Sequence, residues 1–357
     1  MTFSYPRYLR SKRTVDERAR HPGVWNTFIQ RLQEKKSDRT RHPEPLRILE
    51  IGGGVGDLAI SVLRALNEQS VDYTLVDIDT ENLRAARERL GNAFPNATVS
   101  PIHDGSEDAL ENTLAPQKES KNKIHKNIRL IKKDITNICI GKDNTSERLA
   151  HRLLFDAICG QAIMDIVPAQ ILIDKVGQLL SNNGLMYLPI HFDGRTDIEP
   201  TYDATVDQRV SDIYHASMMR HWTDSRGDRY SYNGSRSGRN LVMHAASANL
   251  SVVEVGASDW IVLPSNQQEG SANHSRQSLS RQTASDSGIA AEICHYPAEE
   301  AYFLECMLHF IEEELDTSDR ISPKEASAWI DTRRRQLRDG HLALFVHNLD
   351  VLLAKTA

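Results

Sequence analysis

The stretch "LRILEIGGGVGDL", residues 46–58, decides the reading of this chain. A short apolar run, "RILEI" at 47–51, stops at consecutive glycines and gives way to "GDLAISVLRALNE" from residue 56, whose apolar spacing is helical. A strand that ends in glycine and leads into a helix lets the backbone approach a ligand closely, since glycine has no Cβ, and points free helical N–H groups at it. Spacing then narrows the ligand. A dinucleotide fingerprint needs G-x-G-x-x-G/A, but here Gly52-x-Gly54-x-x is followed by Asp57, which would crowd and repel a pyrophosphate. A phosphate-binding P-loop would end in Gly-Lys-Ser/Thr, which is absent. NAD and nucleoside triphosphates are therefore disfavoured.

Outward from this stretch the chain alternates strand and helix. "YTLVDID" at 73–79 is a second strand, followed by the helical "TENLRAARERLGNAF"; "IRLIKKD" at 128–134 and "FDAICG" at 155–160 are further strands. "AQILIDKVGQLL" is helical and "GLMYLPIHF" at 184–192 is the fifth strand. This is the rhythm of βαβ units around a parallel sheet. "LSVVEV" and "DWIVLP", within 250–264, read as two β runs joined by a short turn, an antiparallel hairpin. The expected fold is α/β: a Rossmann-like, seven-stranded, mostly parallel sheet with a final antiparallel hairpin and helical additions at both ends.

The chain divides into an N-terminal helical cap at 1–45, a core at 46–264 with polar insertions at about 104–127 and 193–240, a Ser/Gln/Asn-rich loop at 265–290, and a C-terminal helical extension at 291–357. In the cap, Thr14 and Glu17 at capping-box spacing predict a helix start, with an interruption at "HPG" (21–23) before "VWNTFIQRLQEKK". In the extension, "PAEEAYFLECMLHFIEEEL", "SPKEASAWIDTRRRQLRDG" and "HLALFVHNLDVLLAK" all carry helical patterns. Their apolar residues, such as Phe303, Trp329 and Phe345, serve packing or a homodimer surface rather than a pocket.

The run Glu50-x-Gly52-x-Gly54-x-Gly56 resembles the acidic-x-G-x-G-x-G motif of class I S-adenosylmethionine-dependent methyltransferases. The resemblance implies S-adenosylmethionine as cofactor, with Glu50, Gly52, Gly53, Gly54 and Gly56 around its amino-acid and ribose portion. It assigns to Asp77, 21 positions after Gly56, the ribose hydroxyls, and to Ile78 packing on the adenine. Asp134 and Ile135, after the third strand, are also assigned to the cofactor, Asp134 standing where the family often places an acid for the adenine amino group. Asp79 is read as a turn residue before Thr80. Asn182-Asn183-Gly184 stands where the family often has a Pro-Gly-Gly turn, so the likeness covers about residues 46–192.

The methyl acceptor belongs at the carboxyl ends of the fourth and fifth strands. After the fourth lies Gly160-Gln161-Ala162-Ile163, where amino-methylating members carry Asn/Asp-Pro-Pro-Tyr/Phe, so DNA-adenine chemistry is not implied. Gln161 is placed either to touch cofactor or acceptor or to cap the next helix. After the fifth strand His191 is the candidate general base, with an ordinary pKa near ~6.5, and the alternative is that it hydrogen-bonds the backbone at the strand end. Asp193 would orient a histidine or start the turn at Gly194, and His215 is a second candidate base. Lys12 and Arg13 are candidates to close over a polar acceptor. The His and Asp spacing is irregular, with no compact H-x-x-x-D triad, so no metal site is expected.

Bulk properties read as those of a soluble, globular chain. The 357 residues carry a net charge of −6, with 39% hydrophobic and 26% charged residues, which gives no global attraction to nucleic acid or an anionic membrane. The first 45 residues hold eleven basic against five acidic side chains, read as solvated helix faces. Four cysteines without C-x-x-C spacing and a start without an apolar signal core lead us to expect a reducing cytoplasm. The expected partner is a polar small molecule methylated on O or N; the alternatives are an RNA or protein methyltransferase and a silent cofactor-binding protein.

Overall fold

The computed structural model describes residues 3–37, 44–105, 124–135, 154–223, 229–265, 295–297 and 299–356. The expected loop at 265–290 and most of the expected insertion at 104–127 lie outside them. By its contacts the chain forms two compact units: 1–18, 195–217 and 260–346 in the first, and 19–194, 218–259 and 347–357 in the second. These units do not follow the linear divisions expected at 45/46 and 264/265. The expected N-terminal cap is shared between them.

The second unit is built on a sheet. Its strands are β1 (Leu46–Ile51), β2 (Val71–Asp77), β3 (Thr98–Asp104), β4 (Lys126–Lys132), β5 (Phe155–Cys159), β6 (Leu180–Glu199), β9 (Leu250–Ala257) and β11 (Ala343–Lys355), of which β6 and β11 cross the unit's chain limits. The order is β11-β6-β5-β1-β2-β4-β3, with β9 on β11. β1 pairs in parallel with both β2 and β5, so the order reverses there, and the crevice outside the carboxyl ends of β1 and β5 is the switch point where such sheets bind ligands.

Successive strand residues face opposite sides of the sheet, and both sides are covered. Ile48, Tyr73 and Leu75 pack with Phe28 and Leu32 of α3 (Pro22–Ser37), Leu58 and Val62 of α4 (Asp57–Ala65) and Leu83 of α5 (Thr80–Ala93). Leu49, Ile51 and Ile158 face the other way, onto Leu172 and Val176 of α6 (Ala169–Gly177) and Leu241 of α8 (Ser237–Ala245). Burial on both sides explains why these strands read as apolar runs rather than alternating ones. Between Phe155/Ala157 and Leu180/Leu185 the β5–β6 register shifts, and Asn183 takes φ 58° there, which is where the sequence predicts a turn.

The antiparallel end of the sheet differs in pairing from the expectation. β9 and β10 (Trp260–Val262) do not pair with each other; each runs antiparallel to β11. The segment at 341–355, expected to be a helix, is therefore mostly strand. Its apolar run is buried on both sides at Val351–Leu353, and a run of that kind has no period to separate strand from helix. The sequence reading also passed over β3 and over the antiparallel pair β7 (Met219–Thr223) and β8 (Arg229–Asn233).

The first unit holds α1 (Tyr5–Ser11), α2 (Arg13–Ala19, to residue 18), α7 (Ala204–Ser217), α9 (Glu300–Thr317) and α10 (Pro323–Arg338). Helix formation begins at Tyr5, not Thr14. The Thr14 hydroxyl instead donates to buried Glu300 at 2.7 Å, and Arg18 joins the same carboxylate. Lys12 and Arg13, expected over an acceptor, form i,i+4 pairs with Asp16 and Glu17; Lys12 is buried. Phe303, Leu304, Met307 and Trp329 are core residues, as the packing reading expects.

Candidate active site

The glycine loop closes on itself through backbone bonds. Gly53 N donates to Val76 O at 3.0 Å and Gly56 N to Gly53 O at 2.9 Å, so the turn hangs between β1 and β2. Gly52 has φ +61°, and a Cβ there would lie 2.6 Å from Ile163 Cδ1; a Cβ on Gly53 would lie 2.4 Å from Leu75 Cγ. A side chain at either position would have to displace the side chain of Ile163 or Leu75. Arg89 fastens the far side of the loop, donating to Val55 O at 2.7 Å and pairing with Asp57 in the first turn of α4. Asp57 therefore also suits the positive end of that helix.

Asp77, at the end of β2, accepts Gly54 N and Asp79 N, both at 2.8 Å, one on each carboxylate oxygen, with Asn82 Nδ2 at 3.4 Å. Burial raises its pKa against the lowering effect of these donors. Each oxygen keeps lone-pair capacity for a further donor. Asp79 caps α5 by accepting Glu81 N and Asn82 N, the turn role expected of it. Ile78, between these acids, is 65% exposed, an apolar face of the kind a flat ligand would cover. Lys133 N donates to Asp77 O, which brings half-buried Asp134 to the same edge. Ile135, by contrast, is a buried member of the core under α6, and that is its evident place.

Glu50 is 2% exposed at the end of β1, and Tyr73 Oη donates to its Oε2 at 2.8 Å. The same hydroxyl lies 3.5 Å from Cys159 Sγ. Burial pushes the Glu50 carboxyl up to about 8; the Tyr73 bond opposes this, nearby Asp57 and Asp77 add to it, and Arg20 opposes it. Arg20 was counted in the sequence only as part of a basic run. It sits just before α3 with its guanidinium 4.8 Å from the Trp25 ring and Nη2 3.5 Å from Gln161 Oε1. Gln161 thus meets an arginine rather than only capping a helix.

The candidate bases are placed differently from one another. His191 is fully buried, with Nδ1 3.1 Å from Leu188 O, which is the backbone-bonding alternative rather than the reach of a base toward solvent. Asp193 is held by Arg239 through Nε at 2.7 Å, Nη2 at 2.8 Å and the backbone N at 3.1 Å. Burial opposes its ionisation, but the Arg239 bonds outweigh it and lower its pKa. His215 belongs to the other unit, where Nε2 lies 3.2 Å from Thr196 Oγ1 and burial lowers its pKa.

Two residues, one just beyond β5 and one within β6, stand out by backbone rather than chemistry. Ala162 has φ 53° and Ile190 has φ 58°, the latter rare for a β-branched residue. Buried Asp350 supports this edge: its Oδ1 accepts Ile190 N at 2.9 Å and its Oδ2 accepts His21 N at 2.9 Å. Neither Asp350 nor Tyr73 stood out in the sequence. The one available sign was a tyrosine in a fully buried strand, whose hydroxyl has to find a partner.

No family model matches the chain. Over 94 residues it is 37% identical to the ubiquinone/menaquinone biosynthesis C-methyltransferase UbiE of Methylobacterium nodulans, a match that takes in 24% of this chain; the chain spans about a third, 35%, of that relative's length. Among solved structures it is similar to geranyl diphosphate C-methyltransferase from Streptomyces coelicolor A3(2), whose structure holds Mg2+, geranyl-S-thiolodiphosphate and S-adenosyl-L-homocysteine. That likeness has a TM-score of 0.35 at 10% identity over 90% of this chain and 74% of the other. StiE O-MT residues 942–1257 are similar at TM-score 0.32 and 11% identity, over 92% and 76% of the two chains. Among the described residues no helix is long and apolar enough to cross a membrane.

Proposed function

We propose that this chain is an S-adenosylmethionine-dependent methyltransferase acting on O or N of a polar small molecule. The observation that carries the reading is the cradle itself: Asp77 is held by Gly54 N and Asp79 N beside a loop that is crowded against side chains at Gly52 and Gly53, with Ile78 open next to it. Ribose hydroxyls would take the spare lone pairs of Asp77, as charge-assisted bonds. The adenine would lie on Ile78, with Asp134 at its amino edge. Glu50 offers a carboxylate to the cofactor's ammonium, and Arg20 offers a guanidinium to its carboxylate.

When bound, the cofactor supplies an electrophilic methyl on a sulfonium. The protein's part is then to hold the acceptor in line and keep water out, which converts the transfer into a step within one complex. His191 is buried and Asp193 is saturated by Arg239, so neither is poised as a base. The arrangement favours an acceptor that arrives nucleophilic, such as a neutral amine or an already acidic hydroxyl. Transfer to carbon is a second reading, favoured by the name of the UbiE relative. We keep the cytoplasm as the compartment, consistent with the free, buried thiols of Cys159 and Cys306.

The test is transfer of a labelled methyl group from S-adenosylmethionine to a panel of amines, phenols and carboxylates, with Asp77→Ala as control. Label in a small acceptor, absent with the variant, supports the reading. Label appearing only in added RNA or protein, or in nothing although cofactor binds, would replace it.

A further inference from the structure

We propose that Tyr73 is a positioning residue of the cofactor site, whose hydroxyl holds Glu50 ready to ionise, so that binding of the cationic cofactor expels a proton from Glu50 to solvent. The proposal deepens the reading above and rests on it. Three features of the β1–β2 edge carry it. Glu50 is almost fully buried, and among the described residues Tyr73 is the hydrogen-bond donor found on its carboxyl group. Tyr73 is itself wholly buried, so water does not replace its hydroxyl. Its neighbour Cys159 Sγ lies 3.5 Å from the hydroxyl, where the thiol can donate to the Tyr73 oxygen while the single Tyr73 proton stays directed at Glu50.

The charges around Glu50 explain why it would wait in its neutral form. On β2 stand Tyr73 and Asp77, on α4 Asp57, on β5 Cys159, and before α3 Arg20. Burial and the two carboxylates disfavour a further negative charge; the Tyr73 bond and Arg20 favour it, and the balance leaves the carboxyl near 8. A cationic ligand arriving at this edge reverses the balance. Glu50 loses its proton to buffer, its carboxylate pairs with the ligand's positive charge, and Tyr73 donates to the new anion. Burial holds the Tyr73 pKa far above its ordinary value, so it remains a donor throughout. No bond other than O–H is made or broken.

The experiment is calorimetric titration of the full chain with S-adenosylmethionine between pH 6 and 8.5, in buffers that differ in ionisation enthalpy. For the parent chain we expect close to one proton released at pH 7 and an affinity that rises up to tenfold per pH unit below about 8. Glu50→Gln should bind more weakly, release no proton and show a flat profile. Tyr73→Phe, which keeps the ring packing, should shift the rising limb upward by roughly one unit, weakening affinity about tenfold at pH 7 and less at pH 8.5. Binding without proton release, or a Tyr73→Phe profile that coincides with the parent's, overturns the proposal while leaving the cofactor reading intact. Absence of binding by the parent chain overturns both. A thermal melt of each variant separates loss of fold from loss of coupling.

Discussion

Two acids at the carboxyl edge of one sheet are held in opposite ways. Asp77, at the end of β2, is gripped by neutral donors, the backbone N–H groups of Gly54 and Asp79, and burial raises its pKa. Asp193, in β6, is closed by both nitrogens of one face of the Arg239 guanidinium, with His347 Nε2 3.8 Å away, and its pKa is lowered. Glu50 belongs with Asp77, since its donor is the uncharged Tyr73. A carboxylate oriented but not neutralised is ready for a ligand that brings donors or positive charge. One already neutralised by arginine fixes the chain instead. That difference, more than residue type, separates a binding acid from a structural one here.

The sharpest way to break the comparison is to remove one acid of each kind. Asp77→Ala should lower S-adenosylmethionine affinity about a hundredfold, roughly 2.7 kcal/mol, the scale of two charge-assisted bonds lost, measured by calorimetry. Arg239→Ala should do the reverse. It strands a nearly buried Asp193 and should destabilise the fold by about 1–3 kcal/mol in urea denaturation, the lower end being favoured because Arg239 is half exposed, with cofactor affinity unchanged. If Asp77→Ala cost stability but not binding, the two acids would have exchanged roles.

Acid and alkali should act on the two groups with opposite sign. Asp193 has a folded pKa below its unfolded one, so its contribution is present above the ordinary carboxylate range and is lost as pH falls through the folded value. Glu50 is raised, so the folded state binds the extra proton between its ordinary pKa and about 8, and stability falls as pH rises across that window. Melting temperatures of the free chain should therefore show a negative slope from pH 5 to 8 that Glu50→Gln flattens. The smallest effect is expected for His215→Asn, whose ring meets Thr196: cofactor affinity should stay within twofold, by the same titration.

Those predictions rest on the part of the molecule that was most legible in sequence. Gly52 to Gly56 and Asp77 lie on consecutive strand ends, and their spacing alone brings them together once β1 and β2 pair in parallel. Arg20, Tyr73 and Asp350 reach this edge from α3's entrance, mid-β2 and β11, separations that no local pattern records. The segment at 341–355 was misread for the same reason. Its apolar run at 351–353 is buried on both sides by partners far along the chain, so it shows neither a helical nor a two-residue period. His191 was read at the end of a strand closing at 192, but β6 continues to Glu199, and spacing could tell neither that extension nor that the ring turns inward.

The account's central claim is that the edge formed by β1, the glycine loop and β2 is built for a cationic, non-phosphate cofactor. Titrating the parent chain with S-adenosylmethionine and, in parallel, with NAD tests it most directly. The account predicts one site of micromolar affinity, about −8 kcal/mol, for S-adenosylmethionine and no measurable heat with NAD. Binding of NAD, or of neither, would contradict it.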